Sequence, residues 1–230
     1  MRRIAIVGFA GALLGLAGAA ALASPATPTV IVREAAAGSL RAGSPSHPQG
    51  IRLTTSFGWQ GFSPADRPTI TRIDLWFPRG SLYNGARYPT CSLRKLDALG
   101  PSGCPRGSIM GNGTGSAFAD TTITRPTITV VNGGADAVYF YTVLNNPARV
   151  QEAVVGHITR LSGPFAYHLS ATIPGNLLVV AGVPIKLSYL TITAGRESWL
   201  ALTSPPAGIK VTTTYDTGAT TSYTLLVQNM

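Results

Sequence analysis

The sequence predicts an all-β protein: an antiparallel β-sandwich, Ig-like or jelly-roll-like, with one short helix in a disulfide-closed loop. Apolar and polar residues alternate with a period of two from residue 51 onward, as half-buried strands require. Turn-forming residues recur at the spacing of an all-β domain with many short strands. Two cysteines, Cys91 and Cys104, enclose the stretch that has a helical pattern.

The N-terminus has the pattern of a secretory signal peptide. Two arginines precede an uncharged run at 4–23, which ends in Ala-Leu-Ala. This order of features is typical of a leader that is cleaved on export. We therefore expect residues 1–23 to be removed and no membrane anchor to remain. The alternative is an uncleaved anchor, because about 20 apolar residues can span a bilayer, but the Ala-rich and Gly-rich run favours cleavage.

Residues 24–50 are rich in Pro, Ala, Gly and Ser and predict a flexible N-terminal segment. The short apolar piece at 29–33 leaves open a second interpretation, in which it docks as an edge strand. Residues 51–230 show no internal repeat and no change of composition. They predict a single β-sandwich domain.

The first strands of this domain lead into and out of the cysteine loop. Residues 70–77 alternate between apolar and polar positions and predict a half-buried strand. In 108–118, glycines at 111, 113 and 115 share one face. Missing side chains on one face allow another backbone or a bulky neighbour to approach closely.

Further strands are predicted along the rest of the chain, at 122–131, 136–143, 152–161, 165–173, 186–194, 198–203, 208–215 and 221–227. Asn-Gly-Gly at 132–134 is a hairpin turn signal. The strand at 136–143 is apolar or aromatic on both faces, which predicts a central strand packed on two sides.

The cysteine loop predicts a small covalent ring around a helix. No third cysteine competes, so oxidation can only join Cys91 to Cys104. Ser92 is placed to cap a helix whose leucines recur at intervals of three, and Gly100 followed by Pro101 predicts its end. Closing about fourteen residues removes unfolded-state freedom worth roughly 3 kcal/mol. A redox or metal-binding pair is disfavoured, because the spacing is not C-x-x-C and no histidine is near in sequence.

The same loop resembles a known signature. It reads FPRG at 77–80, then P-x-C-S at 89–92, Gly100-Pro101 and C-P-x-G-S at 104–108. This pattern is similar to that of a functionally uncharacterised family of secreted β-rich proteins from high-GC Gram-positive bacteria. The resemblance covers about residues 70–227. It implies a secreted β-rich domain and supplies no catalytic residues.

Charge constrains the partners. The chain carries a formal net charge of +9 at pH 7, and the leader contributes two of its arginines. A positive field favours anionic envelope polymers as partners, and another envelope protein is the alternative partner. The stronger interpretation of the charge alone is that it keeps a secreted protein soluble. Because the arginines are scattered and form no basic run, we expect no specific nucleic-acid binding.

Recognisable catalytic sets are missing from the sequence. There is no G-x-S-x-G, and we assign no catalytic residue. Among the nine acidic residues, the nearest pairs that could serve glycan cleavage are Asp66 with Asp74 and Asp120 with Asp136.

Two strand histidines are candidate metal ligands. His157 shares a face with Val155, which predicts partial burial, whereas His168 shares a face with Ser170 and Thr172 and is expected in solvent. Together they would still need a third ligand such as Glu152. We therefore predict no metal site and no cofactor.

Three aromatic residues are candidate ligand-binding groups. Trp59 lies in an aromatic and glycine-rich stretch, and Tyr83 and Tyr88 lie just before the cysteine loop. Exposed rings of this kind form platforms for sugars or protein partners. A core position is the alternative for Trp59, and Trp199 is assigned to the core.

These observations predict a secreted, non-enzymatic β-sandwich protein of the cell envelope with a structural or binding role. The first alternative is an envelope glycan-active enzyme of the sandwich or jelly-roll type. The second is an oligomeric envelope pore made of amphipathic strands.

Overall fold

The structure is a computed structural model that describes residues 29–38, 43–60, 67–205, 208–225 and 228–229. For 29–38, 59–60, 225 and 228–229 only the backbone is described. The predicted signal peptide and its cleavage site, Asp66 and the side chain of Trp59 lie outside the described residues. Within the ranges given, no helix has the length and apolar character needed to cross a membrane.

Strands make up most of the described chain. In order they are β1 Thr29–Gly38, β2 Gln49–Gly50, β3 Arg52–Gln60, β4 Ile70–Pro78, β5 Ser81–Tyr83, β6 Ile109–Ala119, β7 Thr122–Thr124, β8 Thr127–Asn132, β9 Ala137–Leu144, β10 Val150–Arg160, β11 Phe165–Thr172, β12 Val179–Val180, β13 Val183–Ala194, β14 Leu200–Leu202, β15 Ile209–Tyr215, β16 Thr220–Leu225 and β17 Gln228–Asn229. Two α-helices are described, α1 Leu93–Leu99 and α2 Gly175–Leu178, and short 3-10 turns lie at Gly85–Arg87, Pro101–Gly103 and Arg106–Ser108.

One long sheet curls round on itself. Its strand order is β16-β15-β4-β11-β10-β9-β8-β6-β13-β3-β1-β17. Neighbours along this order pair antiparallel except β1 and β17, which pair in parallel. Strand β17 follows β16 almost directly in the chain although the two lie at opposite ends of the order, so the two ends of the sheet approach each other.

The curl makes the inner faces of opposite walls pack against each other. One buried apolar cluster joins Leu53 and Phe57 of β3 to Ile73 of β4 and Val211 of β15. The predicted all-β antiparallel fold with one short helix in a disulfide-closed loop is therefore confirmed. Its facing layers are opposite walls of one sheet.

Each end of the curled sheet has a covering element. A small sheet of β2, β14 and β5 lies at the end where β4 finishes, since β5 follows β4 after a tight turn at Gly80. Helix α2 follows β11, which runs antiparallel to β4, and therefore lies toward the opposite end. Its Leu177 is buried in the interior.

The predicted strands are found close to their expected positions, with one division. The segment 122–131 is split into β7 and β8 at Arg125-Pro126, because proline has no N–H to donate to the ladder. In the segment 24–50, β1 and β2 are strands, and β1 pairs on both sides rather than lying at an edge. The close approach expected at the glycines of β6 is also present: a Cβ on Gly113 would lie 2.6 Å from the Thr191 carbonyl oxygen of β13.

The cysteine loop forms as predicted. Cys91 and Cys104 are joined by a disulfide, and Ser92 caps α1 by accepting a hydrogen bond from the Lys95 N–H. Gly100 ends the helix with a positive φ of 65°, a conformation that glycine adopts without a steric penalty. Leu96 of α1 is completely buried.

The loop lies on the outer face of the sheet. Its disulfide and Leu96 pack with outward-facing residues of three adjacent strands, Val131 of β8, Tyr139 and Tyr141 of β9 and Ala153 of β10. The prediction that β9 is packed on two sides is confirmed. Its outer face lies under the loop and its inner face points into the curled sheet.

Candidate functional site

The interior of the curled sheet contains an apolar cavity. Its volume is about 200 Å³. The lining side chains come from the inner faces of most strands and include Phe57, Phe77, Phe140, Leu169, Leu190 and Ile192. For comparison, an engineered protein cavity of about 150 Å³ lined by Leu, Ile and Phe stays dry and binds benzene or xenon. The interior therefore has the size and chemistry of a binding site for a small apolar molecule.

Small residues on the inner faces help to create this space. Ala117 of β6, Ala171 of β11 and Ala194 of β13 all line the cavity. Gly156 of β10 leaves room for the ring of Phe140, since a Cβ at position 156 would lie 2.9 Å from the ring atom Cε2. Larger side chains at the alanine positions would occupy volume that is now open.

The few polar groups of the cavity wall are mostly engaged within the protein. The Thr142 hydroxyl donates to the Phe140 carbonyl at 3.2 Å. The Tyr83 hydroxyl donates out of the cavity toward the Gly134 carbonyl at 2.8 Å. The exceptions are Ser81 and Tyr167, whose hydroxyls have no hydrogen-bond partner among the described residues. Tyr167 is the one phenol of the described wall that is available to a ligand.

One buried asparagine holds the wall together at the end covered by β5 and β14. Asn132 is completely buried at the end of β8. Its Nδ2 donates to backbone carbonyls of the segment before Cys91, and its Oδ1 accepts from two side chains and one backbone N–H. The partners are the carbonyls of Gly85, Tyr88 and Pro89, the Tyr83 hydroxyl, the Trp199 indole N–H and the Gly134 N–H. This Asn132 cluster fixes the loop, β5 and β14 to the main sheet.

The environment of Tyr83 favours its neutral form. Burial raises the pKa of the Tyr83 phenol well above its ordinary value, and the negative charge of Asp136 adds to the effect. The ring also makes edge contacts with Trp199 and Tyr167, at centroid distances of 5.3 and 6.5 Å. Tyr83 therefore serves as a hydrogen-bond donor in the wall at any physiological pH.

A surface groove adjoins the cavity at the same end. The groove has a volume of about 290 Å³ and runs between the β4–β5 turn and the β10–β11 connection. Ser81, Leu82 and Tyr167 line both the groove and the internal cavity. These three residues form the boundary between the apolar interior and solvent.

The predicted aromatic site residues are only partly brought together. Tyr83 and Tyr88 lie at the same end of the fold, and both are half-buried. The Tyr88 hydroxyl is held by the Ser198 backbone N–H and side chain, each at 2.9 Å. A joint platform with Trp59 stays a prediction, since that side chain lies outside the described residues.

Of the carboxylate pairs considered for glycan cleavage, Asp120 and Asp136 do not come together, and the pair of Asp66 with Asp74 stays a prediction because Asp66 lies outside the described residues. Asp74 is buried on the outer face, where its carboxylate accepts from Arg72 Nε at 2.9 Å and lies 2.8 Å from His168 Nε2. Asp120 follows β6 at the end near β7, whereas Asp136 precedes β9 at the opposite end of the same wall. The latter two are therefore far apart.

The expected exposure of the two histidines was wrong. His157 is exposed, because the inner face of β10 carries Val154 and Ile158 and leaves His157 on the outer face beyond the cysteine loop. His168 is instead half-buried, because its ring stacks on Trp76 at 4.6 Å between centroids. Among the described residues, no three metal-ligating side chains come together.

Comparison with known proteins gives no relative on which to base a function. No family model, curated protein or solved structure matches the chain.

Sequence reasoning missed the cavity, the groove and the Asn132 cluster. Asn132 was interpreted only as a turn residue. A signal for the cavity was present in the small residues at inward positions of three strands, Ala117, Ala171 and Ala194. This signal has no meaning until the strands that face each other across the interior are known.

Proposed function

We propose that this chain is a secreted binding protein of the cell envelope that holds a small apolar molecule inside its curled sheet. The observation that carries the proposal is the apolar cavity of about 200 Å³. Native interiors are close-packed and contain few voids larger than a water molecule. An apolar void of this size costs stability unless a ligand fills it.

Export is supported by the leader pattern at 1–23 together with the disulfide. Disulfides persist in oxidising compartments and are rare in the bacterial cytosol. N-terminal sequencing of protein recovered from medium and envelope fractions tests this half of the proposal. We expect the mature chain to begin at Ser24. Recovery of the chain only from the cytosol, with Met1 intact, would overturn it.

Binding inside the cavity predicts a specific dependence on ligand length. Each methylene buried contributes about 0.8 kcal/mol, which is about a fourfold gain in affinity. In calorimetric titrations with straight-chain alcohols from hexanol to dodecanol, affinity should rise by about this factor per methylene and then level off when the cavity is full.

Two leucine variants locate the binding. Ala171→Leu adds bulk inside the cavity and should weaken alcohol binding by about tenfold or more, since a buried side chain competes for the same apolar volume. Ala98→Leu makes the same change on the exposed side of α1 and should leave binding unchanged. Absence of saturable binding, or equal binding by the wild type and Ala171→Leu, would refute the proposed function.

The glycan-active enzyme has less support. Its best-placed described carboxylate, Asp74, is neutralised by Arg72 and covered by His168.

A further inference from the structure

The groove beside the cavity has features that would select the polar head group of a ligand whose hydrocarbon part lies in the cavity. Two chain segments that line the cavity continue into this groove. On β10 the cavity-lining Ile158 is followed two residues later by Arg160, which ends the strand on the same face because side chains alternate along a strand. The cavity-lining Phe77 of β4 is followed two residues later by Arg79, which lies in the turn after the strand and also lines the groove. The apolar interior therefore ends between two cations.

Both arginines are placed for a ligand. Arg79 donates from Nε to the Gly163 carbonyl at 3.0 Å, which holds its side chain along the groove. Arg160 pairs in register with Tyr167, the phenol at the boundary of the cavity. Both arginines are exposed, and in the described part of the chain neither forms an ion pair. No acidic side chain lines the groove.

An apolar cavity that opens beside a cationic groove fits an amphiphilic ligand. An apolar cavity excludes a charged group, because burial without a partner costs far more than burial of hydrocarbon gains. A ligand that fills the cavity with hydrocarbon can therefore carry charge only at the groove. Guanidinium groups there favour an anion, and the planar arginine side chain can bind a carboxylate through two parallel hydrogen bonds.

We propose that the ligand is a fatty acid whose chain lies in the cavity and whose carboxylate binds between Arg79 and Arg160 beside the Tyr167 hydroxyl. This inference rests on the proposed function, because it identifies the class of molecule that the same cavity holds.

The test compares decanoate with decanol, which have the same hydrocarbon length, below the concentration at which either self-associates. Calorimetry is run on the mature wild-type protein, on Arg79→Gln/Arg160→Gln and on a control, Arg87→Gln/Arg94→Gln. The control removes the same charge from exposed positions near and within the cysteine loop. Charge-assisted hydrogen bonds predict that the wild type binds decanoate about tenfold more tightly than decanol or better.

The groove variant should lose this preference and bind decanol within about twofold of the wild type, and the control variant should bind both ligands as the wild type does. Equal decanoate affinity in the wild type and the groove variant, with decanol binding still abolished by Ala171→Leu, would overturn the head-group inference and leave the cavity function standing. An equal loss of decanoate affinity in the control variant would also overturn it, since only net charge would then matter. If neither ligand binds the wild type, the proposed function itself fails.

Discussion

The two faces of β9 differ in how completely they are packed. On the outer face, Tyr139 and Tyr141 are buried under α1 and the Cys91–Cys104 disulfide. On the inner face, Phe140 and its neighbours line a cavity of about 200 Å³. The same strand is thus close-packed on one side and borders open space on the other.

The difference shows how a fold can keep a hollow interior. Filling the cavity with side chains would add stability, so an open interior needs stabilisation elsewhere. Here the covalent cross-link, the helix cap and the Asn132 cluster all act on the outer face or at one end of the sheet. We infer that the outer face holds the wall in shape while the inner face is left for a ligand.

The largest effect is expected from Asn132→Ala, which removes the centre of the polar cluster. Several buried donors and acceptors would lose their partner, at about 1–3 kcal/mol each, so the free energy of unfolding should fall by about 3–5 kcal/mol. Urea denaturation measures it. Asn176→Ala is the matched control, because the exposed Asn176 makes a single hydrogen bond to Glu152 and its loss should cost under about 0.5 kcal/mol. Similar losses for both variants would show that the cluster is not the support described.

Removing the disulfide comes next. Cys91→Ser/Cys104→Ser should lower the free energy of unfolding by about 3 kcal/mol, because the unfolded chain regains the freedom of the ring. Under conditions where the variant is still folded, its affinity for decanol should stay within about twofold of wild type, since the loop touches only the outer face. A large loss of decanol affinity in the folded variant would mean that the cavity on the inner face depends on the cross-link on the outer face.

A matched alanine pair separates the two faces with one chemical change. Ala153→Leu inserts three carbons into the packed outer face and should destabilise the protein by about 1–3 kcal/mol. Ala171→Leu inserts the same atoms beside the cavity and should be neutral or stabilising by up to about 1 kcal/mol. Thermal and urea denaturation of both variants in ligand-free buffer give the comparison. Equal destabilisation would contradict the difference in packing.

The smallest effect concerns charge on the outer face. Burial raises the pKa of Asp97 above its ordinary value, and the nearby charge of Glu152 adds to this. A carboxyl with a raised folded-state pKa destabilises the fold once the pH exceeds its ordinary pKa, and contributes nothing at lower pH where it is protonated in both states. Asp97→Asn should therefore raise stability slightly at pH 7 and leave it unchanged near pH 3. A larger gain at pH 3 than at pH 7 would reverse the assignment.

Much of the outer face could be predicted from the sequence because its signals are local. Ser92 and Gly100 delimit α1 within a few residues of each other, and the absence of a third cysteine determines the disulfide. Apolar and aromatic residues on both faces of 136–143 predict that both faces of that strand are covered. What covers each face could not be predicted from this pattern.

The site itself depends on pairings between distant residues. The sheet curls because β1 pairs with β17, the first and last strands of the described chain, and no local pattern specifies that pairing. The cavity is the volume that the inward-facing side chains of opposite walls leave unfilled. It cannot be predicted from the sequence, because the sequence does not show which strands face each other. Arg79 and Arg160 are also far apart in the chain and become neighbours of one groove only through the pairing of β10, β11 and β4.

Xenon binding tests directly whether the interior is an open apolar site, because it assumes no natural ligand. Xenon enters dry apolar cavities of this size. In NMR of dissolved xenon with the mature protein, we expect one saturable site in the wild type that is lost in Ala171→Leu and retained in Ala98→Leu. A xenon signal that is the same in the wild type and Ala171→Leu would contradict it.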